Sequence, residues 1–154
     1  MCLLPLIVWY FQGLLTPFIA VVAVYIGWQQ WKTNALKSKL DLFDRRFKVF
    51  EEARKILGRM YTVGVKDEEL SQFVTETAEA EFLFGPEIRK YLDEIYRRVQ
   101  NLKSAREQMR VSWEAPVEVR SKLAEAERNE VEWATAQTPA LREQFKQYLD
   151  VSKL

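Results

Sequence analysis

The 154 residues include no histidine and a single cysteine, which excludes histidine-assisted nucleophiles, the usual zinc sites, a ferritin-type di-iron site and any intrachain disulfide. Lys plus Arg (23) nearly cancel Asp plus Glu (22), and so even a mixture lacks the basic stripe of a nucleic-acid binder. The five glycines are scattered singly and make no phosphate-binding loop.

Between Met1 and Trp31 no residue is charged, whereas from Lys32 onward charges recur every few positions. The apolar stretch from Leu3 to Trp28 is interrupted in its middle by Gln12, Gly13 and Thr16, and about 20 apolar residues suffice for a helix to cross a bilayer. At about 1.5 Å per residue, a span over 9–28 rises roughly 28 Å, close to the ~30 Å hydrocarbon core. Trp9 and Tyr10 then mark one interface, and Trp28, Trp31 and Lys32 the other. Pro17 clashes with the carbonyl of Gly13 and removes a donor, which predicts a kink over 13–17. A separate helix capped by Thr16 would offer only about fifteen residues, too few to cross. One kinked span is therefore expected, with 1–31 as a membrane anchor and 32–154 as a soluble domain. A cleaved signal peptide would need a basic leader and a small-residue cleavage site, and the run ends instead in Tyr25, Ile26, Gly27 and Trp28. Lys32, Lys37, Lys39, Arg45 and Arg46 follow the span. The expected topology is therefore single-pass in an inner (cytoplasmic) membrane, with the N-terminus outside and the C-terminal domain in the cytoplasm.

Beyond Lys32 the periodicity is helical, with no alternating run that reads as a strand. Leu36, Leu40, Phe43, Phe47, Phe50, Leu57 and Tyr61 step by four and three, with Arg54 in the remaining seam position. Leu42, Val49, Ala53, Ile56 and Met60 widen this seam into a broad face. Such a face belongs to a helix inside a bundle more than to a two-stranded coiled coil, so Phe43, Phe47 and Phe50 are expected in a core. This helix should end near Gly58 or Gly64. Asp67 reads as the N-cap of a second helix carrying Leu70, Phe73 and Val74 and closing at Phe82 to Phe84. Gly85 and Pro86 read as a stop and a new start. A third helix carries Ile88, Leu92, Ile95, Val99, Leu102 and Met109, with Arg106 in its seam. Val117 to Ala136 reads as a weaker, partly exposed fourth helix, and Thr138 with Pro139 as the restart of a short last one bearing Leu141, Phe145, Tyr148 and Leu149. The expected fold is all-α: an N-terminal transmembrane helix followed by a soluble four- to five-helix bundle.

The segment LDLFDRRFKVFEEARKIL from Leu40 to Leu57, with EFLFGPEIRKYLDEIY from Glu81 to Tyr96 and the closing YLDVSKL, resembles a group of small uncharacterised bacterial proteins. These carry an apolar N-terminal segment ahead of the same LDLFDRRF-type helical motif. The resemblance covers less than half of the chain. It implies a bacterial or phage source and an anchored helical domain, and it brings no activity with it.

Five polar residues stand out as a candidate interaction site or structural network: Asp44, Arg45, Arg46, Arg54 and Arg106. Pairing of Asp41 with Arg45 and of Asp44 with Lys48 at i,i+4 would account for the first cluster at about 0.2–0.5 kcal/mol each. Arginines this near a membrane also suit lipid phosphates. Arg54 and Arg106 fall in apolar seams, where a guanidinium needs a carboxylate or carbonyl partner, or a bundle end where its head reaches water. The many glutamates, among them Glu69, Glu127 and Glu130, read as a solvated face. No catalytic residue, metal ligand or cofactor is expected, and the chain is not expected to be an enzyme. The leading expectation is a membrane-anchored helical interaction or scaffold protein, in contact with the bilayer and with a protein partner or a second copy of itself. The alternatives are a membrane-active effector, phage- or toxin-like, and a ligand-sensing bundle.

Overall fold

The computed structural model describes the backbone of residues 4–150 and the side chains of 18–150. Five helices follow one another: α1 (Leu4–Met60), α2 (Asp67–Thr77), α3 (Ala80–Phe84), α4 (Pro86–Val111) and α5 (Val117–Lys146). Among the described residues there is no strand, so the fold is all-α. Contacts divide the chain into two units, Met1–Asp41 and Leu42–Leu154. The break lies beyond the end of the uncharged run at Trp31, because the first core residue of α1 is Val49 and every side chain from Phe18 to Asp41 is exposed.

In the first unit the described side chains bond only locally. Gln29 Nε2 donates to Tyr25 Oη at 3.1 Å, Thr33 Oγ1 to the Gln29 carbonyl at 3.0 Å, and Ser38 Oγ to the Asn34 carbonyl at 3.1 Å. Among the described residues no helix is long and apolar enough to cross a membrane. Of the span expected over 9–28, the described side chains include only 18–28. α1 runs without a break through 13–17, where the kink is expected, and the side chains there lie outside the described ones.

The second unit is built around a core fed by every one of its helices: Val49, Ile56 and Met60 of α1, Phe73 of α2, Phe84 of α3, Ile95 and Val99 of α4, Leu141 and Phe145 of α5. Of the broad α1 face expected, one side is buried, together with Leu57 of the other stripe, while the phenylalanine side is not. Val49, Ala53, Ile56 and Met60 are at most 1% exposed, whereas Phe47 is 39% exposed and Phe43 and Phe50 are half-buried. At about 100° per residue, Arg46, Val49, Ala53, Ile56 and Met60 share the face that looks into the core, Leu57 and Phe50 lie at its edge, and Phe47 and Arg54 are turned well away from it. The expected seam stepped by 3.5 residues, and a straight helix does not hold that step. The phenylalanine rings still pack on one another and on α5: Phe43 on Phe47 at 5.9 Å, Phe47 on Phe50 at 6.0 Å, and Phe50 edge-on to Phe145 at 5.6 Å.

After Met60 the chain turns at Gly64, whose positive φ of 91° suits glycine and whose N–H donates back to the Arg59 carbonyl at 3.0 Å. The N-cap of α2 is Lys66, one residue ahead of the expected Asp67; its N–H donates to the Glu69 carboxylate at 3.1 Å. The second helix does not run through to Phe84. It stops at Thr77, and α3 restarts at Ala80 and brings Ala80 and Phe84 into the core. Gly85, at φ 96° and ψ −178°, adopts a conformation that is essentially glycine-only, and Pro86 opens α4 as expected.

α5 continues through Pro139 to Lys146 in place of restarting there. An interior proline costs about 3 kcal/mol. Ala134, Leu141 and Phe145 are all at most 1% exposed on one face of α5, and burying the Leu and Phe side chains returns about 1.5–3 kcal/mol each, so a continuous helix wins.

Candidate functional site

In the first unit, Phe18 (70% exposed), Val21 (68%), Val24 (73%) and Trp31 (69%) point in different directions around α1. With Ile19, Val22, Tyr25 and Ile26 they leave no polar face before Gln29. Of the expected interface residues, Trp28, Trp31 and Lys32 are exposed, and the Lys32 ammonium sits 4.9 Å from the centre of the Trp28 ring. Trp9 and Tyr10 lie outside the described side chains.

The second unit separates the arginines that had been grouped together. Arg45 points outward and pairs with Glu79 at 3.4 Å, both side chains about two-thirds exposed. Lys48 goes to Glu76 at 2.7 Å, in place of the expected Asp44, which is exposed. Arg46 does something else. Its Nε donates to the Leu83 carbonyl at 3.1 Å and its Nη1 to the Tyr148 carbonyl at 3.3 Å. The first acceptor lies in the last turn of α3 and the second just past α5, where helix carbonyls have no intrahelical donor and the dipole is negative. The guanidinium also lies 5.9 Å from the Phe84 ring centre and 5.7 Å from that of Tyr148. Arg46 therefore closes two helix ends at once, under an aromatic roof.

Arg106 repeats this arrangement elsewhere in the unit. Its Nη2 donates to the carbonyl of Met60, the last residue of α1, at 3.3 Å, and its Nε to Glu127 of α5 at 2.7 Å. The partner expected for a seam arginine is thus present twice over. Arg54 does not share this role: its side chain is 63% exposed and pairs with Glu51 at 3.8 Å.

Between α4 and α5 the sequence reading missed a series of polar rungs. Tyr91 Oη donates to Gln137 at 3.1 Å, Arg98 and Asn101 donate to the two oxygens of Glu130 at 3.2 and 3.3 Å, and Arg106 reaches Glu127. Rungs that climb α4 while they descend α5 make the pair antiparallel. Glu130 is buried and Glu127 part-buried, so these two are not part of a solvated face. The signal available was spacing: Glu127, Glu130, Ala134, Gln137, Leu141 and Phe145 lie three or four residues apart on one face of α5. Arg98 also holds Glu94 at 2.8 Å and lies 5.0 Å from the Trp133 ring centre. Hydrogen bonds from Arg98 and then Arg97 keep the Glu94 carboxyl below its ordinary range, and the bond to Glu94 raises Arg98. Burial pushes the Tyr91 hydroxyl up to about 12.

A shallow groove of about 830 Å³ lies beside Arg106, between the Gly64 turn and α4. Of its cations, Arg59 pairs with Glu69 at 2.9 Å, Lys103 with Asp67 and Arg110 with Glu107 at 2.6 Å. Among the described residues no three metal-ligating side chains converge.

No family model, curated protein or solved structure matches this chain.

The geometry therefore has two kinds of polar feature. One ties helix ends and helix pairs together. The other, in the first unit, puts exposed lysines after an exposed apolar helix.

Proposed function

We propose that this is a membrane-anchored helical interaction or scaffold protein. The observation that carries the reading is the exposed apolar helix from Phe18 to Trp28. A helix that is apolar on all sides is stable only where lipid or another protein covers it, and the uncharged sequence continues N-terminally from it. Lysines at its C-terminal side favour an inner-membrane orientation with the second unit in the cytoplasm. The second unit's own polar groups serve its packing, which suits a binding module better than a reaction centre. Its most exposed large apolar side chains are Phe82 (89%), Val63 (81%) and Trp113 (71%), and exposed aromatics of this kind are frequent anchors at protein interfaces.

Fractionation of cells making the full chain tests the anchor. The expected result is a protein that stays in the membrane pellet after alkaline carbonate washing and loses that behaviour when 1–31 are removed. A chain released by carbonate would overturn the reading. A periplasm-active reporter fused after Leu154 should stay dark, and activity there would reverse the orientation.

A further inference from the structure

Lys32, Lys37 and Lys39 follow the apolar turns of the first unit, with no acid among them before Asp41. All three are exposed. Lys32 rests on Trp28, and among the described residues none of the three has a carboxylate partner. The neighbouring cations are already engaged within the second unit: Arg45 by Glu79, Arg46 by two carbonyls, Lys48 by Glu76. The arginines that the sequence suggested for lipid phosphates are thus taken, and the lysines remain.

Lys32 and Lys39 are two helical turns apart, about 10 Å along nearly the same face, and Lys37 lies between them in height. That spacing is comparable to a Debye length of about 8 Å, and since Lys37 points to the other side of the helix, headgroups on all sides of its foot act on the three lysines. A zwitterionic headgroup carries its own amine beside its phosphate, whereas an anionic headgroup leaves the phosphate charge for the protein to neutralise. From this we infer that Lys32, Lys37 and Lys39 recruit anionic phospholipid headgroups around the foot of the anchor. The inference rests on the membrane-anchor reading above. Full engagement of a lysine at a charged membrane surface corresponds to roughly a fivefold preference.

Trp28 and Trp31 report directly on the lipid next to these lysines. The full chain is reconstituted into vesicles of phosphatidylcholine with about one-fifth phosphatidylglycerol, and bromine is placed on the acyl chains of one lipid or the other. Trp9, Trp113 and Trp133 contribute a background common to all variants. At equal mole fraction of brominated lipid, brominated phosphatidylglycerol should quench as though enriched at least about threefold near the tryptophans. That enrichment should vanish in Lys32→Gln/Lys37→Gln/Lys39→Gln and at about 1 M salt, where screening shortens to ~3 Å, and persist when all three become Arg. Equal quenching by the two lipids, or a preference that survives the triple Gln change, overturns the inference and leaves the anchor intact. Quenching by neither lipid overturns the anchor reading and this inference with it.

Discussion

Arg46 and Arg45 are neighbours in sequence with opposite fates. Arg46 lies two turns before Ala53, on the α1 face that looks into the core, and closes the ends of two helices. Its planar fork donates to two carbonyls at once and lies 5.9 and 5.7 Å from the centres of two rings, and a lysine ammonium lacks that rigid fork. Arg46→Ala should therefore cost about 1.5–3 kcal/mol of unfolding free energy, and Arg46→Lys should recover little of it. Arg45→Ala, at a pair open to solvent, should leave denaturant midpoints almost unchanged. Equal effects at the two positions would refute this assignment.

Glu94 gives a second prediction at this scale. Bonds from Arg98 and Arg97 hold its carboxyl below its ordinary 4.5. A carboxyl depressed in the folded state contributes stability that is complete above the unfolded value and is lost as pH falls through the folded one. Urea unfolding followed from about pH 7 to about pH 3 should show Glu94→Gln losing less stability below about pH 4.5 than the parent chain does. Parallel curves would mean that Glu94 is not coupled to folding.

Among the elements, α1 and α5 explain where the core lies. Phe145 is fully buried and meets Phe50 and Phe84 edge-on, with ring centres 5.6 and 5.0 Å away. Phe47 is turned away from the core face of α1 and is 39% exposed. Phe145→Ala should cost about 3–5 kcal/mol through lost burial and the cavity left behind. Phe47→Ala, keeping part of its surface in water from the start, should cost less than about 2 kcal/mol. Chemical denaturation of the two variants decides the point, and a larger loss at Phe47 would return that ring to the core where it was expected. Much of this level was legible beforehand. The α4 stripe of Ile88, Leu92, Ile95, Val99 and Leu102 is buried as its spacing implied, because a long periodic stripe has one way to avoid water. Short-range punctuation was less reliable. Pro139 looked like a boundary, yet Leu141 and Phe145 bury enough surface to carry α5 through it.

For the second unit, the buried core begins at Val49 and ends at Phe145, and among the described residues none of the first unit belongs to it. A chain beginning at Leu42 should accordingly fold alone. Far-UV circular dichroism with a strong helical signal and one cooperative melt, independent of protein concentration, is the expected outcome. A melting temperature that climbs with concentration would show that the bundle is completed by another copy.

The helical class, the α4 seam and the contrast between an uncharged N-terminal fifth and a mixed-charge remainder were set by the sequence alone, since each follows from periodicity or charge along the chain. The need of Arg106 for a partner could be read there too. Which partner it took could not, because Glu127 and Met60 lie far from it in sequence and meet it only when α1, α4 and α5 pack. The same holds for Arg46 and its two carbonyls, and for Glu130, which looked like one solvated acid among many. Burial of a charge is a property of the environment that surrounds it. That environment is assembled from distant segments, so only the tertiary structure decided which charges hold the bundle together and which were left exposed.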